Sequence, residues 1–173
     1  MKKFLIVILT IIILQLTILM QTNILNQIPL FGIIANLGIV FISIVSANTS
    51  ENVGSLIGGV YGLALDIIVG RTLGIYTLLF LLLGFGTGKI QNMISLENKI
   101  TIFAIIIIST LTFEWCEIIL GVLLHGYNHI DFIYILKVMI ISSIYNMFLT
   151  YTFYKPYTFL GKQIANCNKK YSL

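Results

Sequence analysis

The chain has 173 residues, a length that suits one domain. Hydrophobic residues make up 58% of it and charged residues 9%, more apolar surface than a water-soluble fold can hide, so the composition excludes a soluble enzyme and points to an integral membrane protein. The formal net charge is +4, and the lysines are too dispersed for a nucleic-acid surface; they read instead as determinants of membrane topology.

A hydrocarbon core of about 30 Å takes roughly 20 apolar residues as helix. Six segments qualify, giving an all-α, polytopic architecture in one domain: 4–20, 28–47, 53–69, 72–88, 100–124 and 132–153, followed by a tail, 154–173. Unbroken Ile/Leu runs suit helices and not the alternating strands of a barrel. The first span follows Lys2 and Lys3 and has no small-residue cleavage site after it, so it is expected to stay as an anchor. Threading six spans brings Lys2, Lys3, Lys89, Lys99, Lys155, Lys162, Lys169 and Lys170 to one face, eight of the ten basic residues. That face is expected to be cytoplasmic, with both termini on it. Arg71 and Lys137 are the exceptions.

The third and fourth spans carry the strongest pattern. Residues 53–88 hold nine of the fourteen glycines, and the two spans meet at a turn through Gly70 and Arg71. Gly54, Gly58, Gly62, Asp66 and Gly70 recur every fourth residue and form one ridge on a helix, with Gly74 continuing the spacing. A small-residue ridge lets another backbone come close. It is expected either to bind a partner's membrane helix or to pack internally. Asp66 stands on that contact line and needs a partner at such depth. Arg71 either snorkels outward or folds back toward it.

Two more acids follow in the fifth span, Glu114 and Glu117, one turn apart. Lys137, in the sixth, stands at a depth similar to that of Glu117, so an intramembrane ion pair between Glu117 and Lys137 is expected. A proton relay through the three acids lacks an accompanying His, Asn or Ser cluster. His125, His129 and Asp131 share an outer loop too pliant to hold a metal. Cys116 lies mid-span and Cys167 in the tail, a placement that makes a disulfide implausible. The aromatic residues fit interfacial anchoring. No nucleophile pair, HExxH, P-loop or dinucleotide fingerprint is present, so neither catalysis nor a cofactor is expected.

The run GGVYGLALDIIVGRTLGIYTLLFLLLGFGTG, residues 58–88, resembles the signature of the MreD family of rod shape-determining membrane proteins. Gly59, Gly62, Leu63 and Asp66 take the places of its core, followed by Gly70, Gly74 and the Gly84-Phe85 close; Pro29 and Asn36 match more loosely in the second span. The resemblance implies a non-catalytic scaffold of the bacterial cell-elongation machinery in the cytoplasmic membrane. Its neighbours would be MreC and, less directly, the MreB filament, RodA and a class B penicillin-binding protein, with membrane lipid around it. The implied fold is like the six-helix substrate-binding subunits of energy-coupling-factor vitamin transporters. A substrate-binding subunit of a vitamin transporter is accordingly the alternative, although the short outer loops offer little to close over a ligand.

Overall fold

Within a bilayer the backbone has no water to bond, so long apolar runs satisfy their N–H and C=O groups internally as helix. The computed structural model describes residues 2–69, 74–90, 99–125 and 132–169, and its regular elements are all helical. They are α1 (Lys2–Asn23), α2 (Leu37–Ala47), α3 (Glu51–Val69), α4 (Ile75–Ile90), α5 (Lys99–His125) and α6 (Phe132–Lys169), with a single 3₁₀ turn at Leu25–Gln27. Four of them, α1, α3, α5 and α6, are long and apolar enough to cross a membrane. The other two, α2 and α4, have 11 and 16 residues. At about 1.5 Å per residue they reach roughly 16 and 24 Å, less than a hydrocarbon core of about 30 Å.

The second expected span, 28–47, is corrected. Only its last eleven residues are helical. Pro29 lacks an N–H and fixes its φ, and Phe31 and Gly32 both have positive φ, 52° and 82°. Leu30 and Ile33 exchange backbone hydrogen bonds of 2.9 Å across this pair, closing a tight two-residue turn. Asn36 then starts α2 as its N-cap, its side chain accepting the Ile39 N–H. The expected tail is corrected as well. The sixth helix does not stop at residue 153 but continues through Pro156 to Lys169. The continuation holds because Tyr157, Leu160 and Ile164, spaced three and four apart, are buried on one face, and Gly161 lies against Asn48 and Val45 of α2 and its C-cap.

The core is built around α2. Every one of its residues is buried, and it touches each of the other five helices. A ladder of rings crosses the bundle through it: Phe113 to Phe80 (4.8 Å between centroids), Phe80 to Tyr61 (4.9 Å), Tyr61 to Phe41 (6.0 Å) and Phe41 to Tyr157 (5.1 Å). Five helices, α5, α4, α3, α2 and α6, each contribute at least one ring. Tilted and edge-on contacts of this kind add about 0.5–1.5 kcal/mol beyond their buried area.

Polar clasps fix the ends. Gln21 of α1 donates to the Ala35 carbonyl and accepts the Leu37 N–H, at 3.0 and 2.8 Å. Asn146 of α6 accepts the Asn36 N–H at 2.9 Å and donates to the Thr110 hydroxyl at 3.1 Å, tying α2, α5 and α6 together. Thr17 and Tyr157 pair their hydroxyls at 3.1 Å. By contrast, the hydroxyl of the fully buried Tyr61 has no hydrogen-bond partner among the described residues. A buried polar group without a partner costs about 1–3 kcal/mol. Tyr61→Phe is therefore expected to raise the melting temperature of the detergent-solubilised protein, and a lowered one would mean that the hydroxyl is bonded after all.

Candidate functional site

The glycine spacing of α3 folds directly onto α4. A Cβ placed on Gly54 would meet the Gly84 carbonyl; on Gly58, the Phe80 carbonyl; on Gly62, the Tyr76 carbonyl, with Thr77 Cα only 2.6 Å away. Each step of four residues along α3 is matched by a step of four back along α4, so the helices are antiparallel and in register. Gly84 returns the contact to Gly54, and Gly88 lies against Glu51. These neighbours are backbone atoms, which cannot swing aside, so no side chain larger than hydrogen fits the seam without moving a helix. The expected ridge at Gly54, Gly58 and Gly62 is thus occupied within the chain, and α4 covers the surface that a partner's helix would have used. Gly86, on the opposite face of α4, has open space where its Cβ would be.

Asp66 ends the seam. It is 2% exposed, and its carboxylate accepts the N–H groups of Gly74 (2.9 Å), Tyr76 (3.1 Å) and Thr77 (3.0 Å) and the Thr77 hydroxyl (2.6 Å). The first turn of any helix leaves N–H groups without intrahelical partners. Asp66 supplies them from the preceding helix, and its negative charge faces the positive end of the α4 dipole. It acts as the N-cap of a helix to which it does not belong. Gly74 provides the bend at φ +102° that brings these donors onto the carboxylate. Gly70 and Arg71 lie outside the described residues.

The expected ion pair between Glu117 and Lys137 is corrected in the same way. Glu117 accepts the Tyr76 hydroxyl at 3.2 Å, whereas Lys137 is exposed on α6. The two share a depth but not a helical phase: the inward face of α6 begins with residues such as Met139 and Ser142. Glu114 lies one turn before Glu117 on α5. One polar track therefore links Asp66 to the first turn of α4 and Tyr76 to Glu117 of α5. Sequence reasoning missed Tyr76 and Thr77. The one signal for them was an acid close before the start of the fourth span, where a helix offers unpaired N–H groups. His129 and Asp131 lie outside the described residues. Among those described, no group of three or more His, Cys, Asp and Glu residues could hold a metal ion.

Among the described residues the arrangement is a glycine-sealed hairpin, capped by a buried acid and packed against the central helix α2. A family model for the rod shape-determining protein MreD matches residues 1–162, nearly the whole chain and all of this hairpin. The chain belongs to the MreD family. It is thereby a membrane protein of a shape-determining family, and the match gives no support to a vitamin-transporter subunit. Neither the curated proteins nor the solved structures contain a match to it. In MreD terms, Gly58, Gly62, Gly84, Gly88 and Asp66 of the family-like run are the parts that weld α3 to α4.

Proposed function

We propose that this chain is a non-catalytic scaffold of the bacterial cell-elongation complex, acting in cell-shape maintenance and lateral peptidoglycan synthesis. The observation that carries the reading is the family match over residues 1–162. In this reading all six helices traverse or enter the cytoplasmic membrane, in an arrangement like that of the energy-coupling-factor substrate-binding subunits, and both termini are cytoplasmic. The grouping of lysines supports that orientation. Gly88 packs on Glu51 and Gly161 on Asn48, which brings Lys89 and Lys162 to one end of the bundle.

Because the glycine ridge is used internally, the scaffold would meet MreC through the outer face of the hairpin. Leu56, Val60, Leu63 and Ile67 of α3 and Leu82 and Phe85 of α4 are exposed there on a backbone held stiff from behind. MreB, RodA and the class B penicillin-binding protein would be reached through that contact. The test is depletion of the protein in its host, followed by complementation. Rounded or swollen cells, rescued by the intact gene and by Gly86→Ala but not by Gly62→Leu, are the expected result. Normal rods after full depletion would overturn the reading.

A further inference from the structure

Five polar side chains lie along α1 between Phe4 and Asn23: Thr10, Gln15, Thr17, Gln21 and Thr22. Four of them are bonded within the chain. The threonine hydroxyls donate to the carbonyls four residues behind them, those of Ile6, Ile13 and Ile18, at 2.8, 2.8 and 2.9 Å. Gln21 clasps the connection to α2. Gln15 is exposed and has no hydrogen-bond partner among the described residues. It follows Lys3 by twelve residues and precedes Asn23 by eight, about 18 and 12 Å of helix. In a helix that crosses a membrane, that places an amide deep in hydrocarbon. The N–H groups around it serve the helix's own ladder, and lipid tails offer its oxygen no donor.

The residues around Gln15 form a seam. Leu5, Ile8, Ile12, Gln15 and Leu19 are spaced three and four apart in alternation, and the four apolar ones are 68, 40, 49 and 46% exposed. Leu14, Thr17 and Ile18, which pack into the bundle, stand on another face. Alternating steps of three and four are the spacing at which two helices interlock, and a lone polar residue on such a seam fixes its register. We infer that the seam is the contact between two copies of this chain, α1 against α1, with Gln15 bonded to Gln15. Two copies cross the membrane in the same sense, so their amides fall at one depth. The pair is self-complementary, because each amide oxygen accepts an N–H of the other about a two-fold axis. Among the described residues α1 packs chiefly on α2 and α6 and does not touch α4. The seam is therefore separate from the outer face of the glycine hairpin, and both can be engaged at once.

The test uses the full-length protein with Cys116 and Cys167 changed to serine, purified into vesicles of phosphatidylcholine and phosphatidylglycerol. Copies carrying a donor or an acceptor dye on Asn52→Cys are mixed, and energy transfer is followed as lipid dilutes the protein. Transfer is expected to report a dimer. Gln15→Leu should move the dissociation midpoint to a protein-to-lipid ratio about tenfold higher, and Gln15→Asn, which keeps the amide, should restore most of that loss. In a second measurement without dye, Leu19→Cys should form a disulfide-linked dimer on oxidation with copper phenanthroline, and Leu63→Cys on the outer face of α3 should not. Equal midpoints for Gln15→Leu and the parent protein would overturn the inference, as would cross-linking at Leu63→Cys in place of Leu19→Cys. Absence of energy transfer at every dilution would also overturn it, since an unlike helix would then have to meet Gln15.

Discussion

Gly62→Leu is expected to separate α3 from α4 and to leave little folded protein. The leucine would have to enter space held by the Tyr76 carbonyl and Thr77 Cα, both backbone. Overpacking that only side chains must absorb costs about 1–3 kcal/mol, and the cost rises when a helix has to move. A loss of roughly 3 kcal/mol or more is therefore expected, a large part of the 5–15 kcal/mol that stabilises a typical domain. Thermal unfolding of the purified protein in detergent, read alongside its size-exclusion profile, measures it. Gly86→Ala is the control. With no neighbour where its Cβ would be, it should be neutral or gain up to about 1 kcal/mol from helix propensity alone. Equal melting temperatures for Gly62→Leu and the parent protein would mean that the hairpin is not sealed by its glycines.

Asp66→Ala is expected to have the second-largest effect. It strips the acceptor from three N–H groups and one hydroxyl. The Thr77 hydroxyl can turn to another acceptor, but the amides of Gly74, Tyr76 and Thr77 cannot. At about 1–3 kcal/mol for each buried group left unpaired, the cost is again on the order of 3 kcal/mol. Asp66→Asn should fall between the two, because its amide oxygen still accepts while the charge facing the helix dipole is lost. The signature to look for is local. Hydrogen exchange should accelerate at residues 74–77 before it does elsewhere in the bundle. Uniform acceleration, or none, would contradict the capping role.

These two sites differ in how far they could be read from the chain alone. The ridge was visible because a four-residue period of glycines has one meaning on a helix: close approach of another backbone. Which backbone it was could not be read, since Phe80 and Tyr76 contribute main-chain atoms that any residue would provide. Asp66 was visible as an acid that needed a partner. Its partners are mostly amides of a turn, and amides leave no mark in a sequence. Glu117 and Lys137 show the opposite failure. Their opposite charges and similar depth suggested a pair, but depth is one coordinate and the rotation of α6 about its axis is another. The second span was misread because hydropathy reports where a segment is comfortable, not its shape. Pro29, Gly32 and Asn36 were the marks of a break. The continuation of α6 past Pro156 rests on burial of Tyr157, Leu160 and Ile164 against helices far away in sequence.

The clasp that Asn146 and Tyr145 place on the α1–α2 connection has a consequence for how the molecule is made. Their partners, Asn36 and Ile28, lie 110 and 117 positions earlier in the chain. A ribosome therefore finishes the first half of the protein long before the groups that complete it exist. Until α6 arrives, the Ile28 carbonyl and the Asn36 amide have no native partner, and α2 lacks part of the wall that encloses it. A helix made late closes a turn made early. The connection between the first two helices is thus completed only once residues 145 and 146 have been made, and a nascent chain interrupted before them lacks both bonds.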